Sequence, residues 1–176
     1  KLKTEIVSRL QARCPIPSLC VPGSTPVVSF GNFEKAHVYT LGLNPSNLEF
    51  EDNKGQLLMN NFRRLQTHSS LRYDNESSYS DVQLEKILNG CINYFNRRPY
   101  HWFNKLESML NSLDYSYYKE ESAAHVDLVQ WATKTKWRDL SEIEKRILID
   151  DGRGFLEYQL ESRNLELLTV KWANGN

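Results

Sequence analysis

Apolar positions along this chain switch between helical and extended spacing, and the switches mark its elements. Leu2, Ile6 and Leu10 share one helical face and predict a first helix ending before Cys14-Pro15-Ile16-Pro17. Pro15, Pro17, Pro22, Gly23 and Pro26 then predict an extended loop. A short strand is expected over 26–30, followed by a turn at Gly31-Asn32. His37-Val38-Tyr39-Thr40-Leu41-Gly42-Leu43 reads as a buried strand, rich in β-favouring residues. Leu57, Leu58, Asn61, Phe62 and Leu65 suggest a helix from Gln56 to Leu65, and the polar stretch 66–79 reads as a loop. Ser80-x-x-Gln83 is a capping box opening a helix that carries Val82, Leu84, Ile87, Leu88, Cys91 and Phe95. Arg97-Arg98-Pro99 breaks that pattern, and Trp102, Phe103, Leu106, Met109, Leu110 and Leu113 form a second helical face. Residues 123–130 read as another buried strand. Ser141-x-x-Glu144 caps a helix expected to be interrupted at Gly152 and Gly154. Leu165 to Trp172 completes the pattern as a third strand.

The order strand, helices, strand, helices, strand predicts one α/β domain over 1–176 with a mostly parallel central sheet. A third strand with no crossover helix after it leads us to expect further C-terminal elements.

Lys+Arg and Asp+Glu number 22 each, so the net charge is zero. The overall basicity of many nucleic-acid binders is absent, although a local patch is compatible with this balance. No apolar run approaches the length of a membrane span, and the opening residues lack a signal-peptide pattern. Three cysteines, Cys14, Cys20 and Cys91, suggest reduced thiols and a cytoplasmic location; a Cys14–Cys20 pair is the lesser alternative.

The strand at 37–43 ends in Gly42-Leu43-Asn44-Pro45-Ser46. Gly42 frees the backbone, while Pro45 fixes its own φ and pushes Asn44 to extended geometry. Ligands of open α/β sheets bind beyond the carboxyl ends of the strands. Asn44 is therefore either a side chain that holds a reacting water or a turn residue capping its own backbone. Asp127 sits in an apolar strand and needs a partner. It serves as an acid/base or base-reading group, or else forms an ion pair with Lys134 or Lys136. His125 and Asp127 share a strand face, but no third ligand has fitting spacing, so no metal is expected. Lys134, Lys136 and Arg138, near Trp131 and Trp137, are candidate nucleic-acid contacts. Arg63-Arg64 and Arg97-Arg98 read more simply as solvated helix ends. Glycine phosphate loops, nucleophile elbows and Cys-x-x-Cys pairs are missing, and no cofactor is expected.

The strand ending in Gly42-Leu43-Asn44-Pro45-Ser46 resembles the first motif of the uracil-DNA glycosylase superfamily, in its mismatch-specific and thymine-DNA glycosylase branch. Tyr100-His101-Trp102-Phe103 is similar to that branch's aromatic helix start. His125-Val126-Asp127-Leu128-Val129-Gln130 falls where the family has its next strand. The resemblance implies a three-layer α/β/α sandwich and hydrolysis of the N-glycosidic bond of a flipped base in DNA, without a metal. It implies that Asn44 orients the water, that Gly42, Leu43, Pro45 and Ser46 floor the base pocket, and that Phe50 stacks on the base. Ser46 stands where the family has glycine. Asp127 stands where related enzymes use asparagine, and a carboxylate donates no hydrogen bond unless protonated. A non-catalytic nucleic-acid or nucleotide-binding protein of the same fold is the alternative.

Overall fold

The computed structural model describes residues 2–74, 77–162 and 167–170. Val38-Tyr39-Thr40-Leu41-Gly42 forms the central strand β1, with Val38, Tyr39 and Thr40 fully buried. Strand β2 (Ala123–Asp127) pairs with it in parallel on one side, and β3 (Leu167–Val170) does so on the other. The protein is thus mixed α/β with a parallel sheet, as the element order predicts. A parallel strand covered on both faces needs a continuous apolar run; accordingly every residue of β2 is buried. The register sets Thr40 opposite His125 and Gly42 opposite Asp127. The flanks of the expected third strand, 165–166 and 171–172, lie outside the described residues.

The proline-rich segment is extended, as expected, and runs antiparallel to the chain leaving β2. Val21 N–H donates to Ala132 O, Val27 N–H to Gln130 O, and Phe30 N–H to His125 O. The strand expected at 26–30 is reduced to one bridge, Phe30 with His125. Pro26 has no N–H to continue a ladder.

Helix α1 (Thr4–Gln11) buries Ile6, Arg9 and Leu10, and packs on α3 (Asp81–Ile92) and α5 (Glu142–Glu161). Both predicted capping boxes form: Ser80 with Gln83 opens α3, and Ser141 with Glu144 opens α5. Within 66–79, Thr67 and Ser70 form a third box that starts the single-turn helix α2 (His68–Leu71). Helix α4 (Phe103–Asn111) points Phe103, Leu106 and Leu110 inward. Their aromatic neighbours Phe30, Tyr94, Phe95 and Tyr117 build most of the core beside β2.

Three expectations fail for identifiable reasons. The segment 56–65 is not a helix; its one regular turn is the 3-10 turn Asn60–Phe62. Glu51 bridges Leu57 and Leu58 N–H donates to Phe50 O, so the backbone is spent on a loop pairing, and Asn60 has φ 50°. Helix α5 runs through Gly152 and Gly154 unbroken. Gly152 is there for packing: a Cβ on it would lie 2.3 Å from Leu128 O. Finally, Cys14 and Cys20 form a disulfide across the Pro15–Pro17 turn, with Cα atoms 6.8 Å apart, which corrects the reduced-thiol expectation. Cys91 alone is a free thiol, and burial pushes it up to about 11. Among the described residues, no helix is long and apolar enough to cross a membrane.

Candidate functional site

The carboxyl ends of β1 and β2 carry the sequence-predicted residues, and the parallel register decides how they meet. Asp127 lies opposite Gly42 and is 4 % exposed. Its Oδ1 sits 3.2 Å from His125 Nε2. On the other side of that ring, Nδ1 is 2.7 Å from Thr40 Oγ1, which in turn bonds the Tyr117 hydroxyl. A buried polar chain therefore runs Tyr117–Thr40–His125–Asp127 through the sheet. Burial raises the Tyr117 phenol above its ordinary range, and the Asp127 charge adds to this. His125 is the partner of Asp127; the alternative pairing with Lys134 or Lys136 does not form.

Asn44 follows two residues after Gly42 and is tied to the loop after β2. Its Nδ2 donates to Thr133 Oγ1 at 3.0 Å, Pro45 O at 3.2 Å and Trp131 O at 3.3 Å. No donor reaches Oδ1 among the described residues. Leu128 N–H donates to Gly42 O, Val129 N–H to Leu43 O, and Ser46 bridges Thr133, so 42–46 runs alongside 127–133. Ser46 is exposed; its Oγ accepts from Leu48 N–H and caps the 3-10 turn Asn47–Glu49, which turns it away from the role of pocket floor.

Phe50 is 1 % exposed and belongs to the apolar core. It presents no ring face to a base, which corrects the expected stacking role. Leu48-Glu49-Phe50 folds inward after the Ser46 cap, and Phe50 is its apolar anchor. Lys134, Lys136 and Arg138 are exposed on the loop beyond Thr133, with Arg138 beside Asp139. They line neither of the two cavities described below.

Glu49 is a functional candidate that the sequence did not single out. It is 3 % exposed, and its Oε2 accepts from the Tyr94 hydroxyl at 2.5 Å. Burial pushes its carboxyl up to about 7; the Tyr94 bond and Arg64 oppose this, and the Asp127 charge adds to it. Glu49 and Asp127 thus feel each other inside one low-dielectric region. The signal available in the sequence was an acidic residue flanked by Leu48 and Phe50.

Beside Glu49 opens a cavity of about 310 Å³ lined by Leu48, Glu51, Asp52, Leu58, Arg64, Tyr100 and His101, among others. Tyr100 N–H donates to the Tyr94 hydroxyl, which links the cavity wall to Glu49. A second cavity, about 390 Å³, lies beside the disulfide and is lined by Arg13, His68, Tyr73, Tyr79 and Trp131 among others. Asn44 and Asp127 line neither of these two. Among the described residues no three His, Cys, Asp or Glu side chains cluster as metal ligands do. No family model, no curated protein and no solved structure matches this chain.

Proposed function

We propose that the chain hydrolyses the N-glycosidic bond of an extruded nucleobase, in a sandwich of the uracil-DNA glycosylase type, with Asn44 holding the attacking water. The observation that carries this reading is the orientation of the Asn44 amide. Its Nδ2 is taken by Trp131 O, Thr133 Oγ1 and Pro45 O, which leaves Oδ1 as the acceptor for a water. A water donating one proton to Oδ1 keeps a lone pair for C1′ of the sugar. The new bond joins water oxygen to C1′, the C1′–N bond breaks, and the base leaves with its electron pair. The proton released by the water passes to a carboxylate, and Asp127, at the end of the neighbouring strand, is the group assigned to it or to the departing base. A buried negative charge there also favours the positive charge developing on the sugar.

Base release from oligonucleotides carrying uracil, mismatched thymine, hypoxanthine or xanthine tests this. Asn44→Ala is expected to lower release by about a hundredfold or more, with the fold intact by circular dichroism. Undiminished release would remove Asn44 from the mechanism, and no release by the unmodified protein would remove the hydrolase.

A second reading is a nucleic-acid or nucleotide-binding protein without catalysis. It is favoured by the same three hydrogen bonds, because pinning 42–46 to 131–133 gives Asn44 a purely structural task. Binding without base release selects it.

A further inference from the structure

One arginine from each of two pairs far apart in sequence lies over an aromatic ring of the other segment. The Arg98 guanidinium lies over the Phe62 ring at 4.9 Å, and that of Arg64 over the Tyr100 ring at 5.4 Å. Arg63 and Arg97 are their chain neighbours. Phe62 is 61 % exposed and Met59 63 % exposed, on a segment whose backbone has been drawn into a loop rather than a helix. Arg64 donates to Leu48 O at 3.0 Å, and its Nε is buried with no partner among the described residues. The same Arg64 and Tyr100 line the 310 Å³ cavity, whose size is at the lower end for small-ligand sites.

We infer that the face formed by 59–64 and 97–101 binds an unpaired nucleic-acid strand, with Phe62 and Tyr100 as stacking platforms and Arg63, Arg97 and Arg98 on the phosphates. This rests on the nucleic-acid reading above and names the surface that serves it. An exposed ring (Phe62) and a half-buried one (Tyr100), each beside a guanidinium, are the combination that single strands require, since every base offers a π-face and every linkage a charge. The neutral chain as a whole makes the local excess of arginine count. Glu51 and Asp52 line the same cavity. Glu51 accepts from Asn47, and Asp52 Oδ1 accepts from the backbone N–H groups of Lys54 and Gln56, which hold it below the usual carboxylate range. These carboxylates repel phosphate and accept the N–H and O–H groups of a nucleoside, which favours the backbone on the arginines.

The test is fluorescence anisotropy with a labelled 20-nucleotide oligothymidine at two salt concentrations. Phe62→Ala is expected to weaken binding by about 5- to 150-fold, the range of one lost base stack. Arg63→Gln with Arg98→Gln is expected to make the slope of log K against log salt shallower by about 1 to 2. Phe62 and Arg98 are exposed and Arg63 is half-buried, and unchanged melting curves exclude misfolding. Wild-type affinity and slope in both variants overturn the proposal, as does binding to anionic vesicles with none to the oligonucleotide. Base release retained when strand binding is absent overturns this surface and not the chemistry; strand binding without base release overturns the chemistry and not this surface.

Discussion

Gly42 stands directly opposite Asp127 in the parallel register, and the atom it lacks is the space the carboxylate occupies. A Cβ on Gly42 would lie 2.2 Å from Asp127 Oδ1 and 2.7 Å from His125 Nε2. The glycine that ends β1 is therefore a packing requirement of the buried His125–Asp127 pair. Gly42→Ala should destabilise the fold by about 1–3 kcal/mol, the usual cost of overpacking a core. In an Asp127→Ala background the same change should cost less, because the shorter of the two clashes is gone and the His125 ring gains room to shift. Urea denaturation of the two single variants and the double variant measures that coupling.

Glu49 should make the protein less stable as pH rises from about 4.5 to about 7. Its carboxyl is raised by burial, so the folded state holds the proton that the unfolded chain gives up. The contribution is fully present below the unfolded pKa and is lost as pH rises through the folded one. Across that window the loss is on the order of 3 kcal/mol. Glu49→Gln keeps an acceptor for the Tyr94 hydroxyl and has no proton to lose. Its denaturation midpoint should stay flat where that of the unmodified protein falls; parallel curves would place the titration elsewhere.

Asp151 on α5 ties three elements together. Its Oδ2 receives Arg9 NH2 at 2.7 Å and Trp131 Nε1 at 2.9 Å, and Arg9 is 6 % exposed. Asp151→Ala leaves a buried guanidinium without its counter-charge, held only by its bond to Asp151 O, and an indole N–H unpaired, and should cost about 3–5 kcal/mol. Trp131 O also receives Asn44, so the same variant should disturb the Asn44 loop. A melting shift larger than that of a surface Asp→Ala on α5, such as Asp150→Ala, is the measurement.

Much of the framework was legible in residue patterns. Ser80-x-x-Gln83 and Ser141-x-x-Glu144 announce helix starts because side chain and backbone satisfy each other within one turn. The strands at 38–42 and 123–127 announce themselves by short runs of β-favouring and apolar residues. The helix expected at 56–65 did not form, because its i, i+3, i+4 pattern was outweighed by pairing of 51–58 with itself, a contact that periodicity does not register. Gly152 suggested a break and instead marks where α5 touches the chain after β2. Proximity of Cys14 and Cys20 depended on the turn between them, which composition alone did not weigh.

The candidate site divides in the same way. By itself the sequence determined the strand ends, the rigid Asn44-Pro45 step and the shared face of His125 and Asp127, since these follow from local geometry and the two-residue period of a strand. Only the tertiary structure decided that Asp127 fills the space above Gly42, that Glu49 turns inward beneath Tyr94, and that Phe50 is core. It also decided that Arg64 meets Tyr100 and Arg98 meets Phe62. Each of these is a contact between segments distant along the chain, fixed by parallel register and loop closure, and no local pattern of residues encodes which distant partner will arrive.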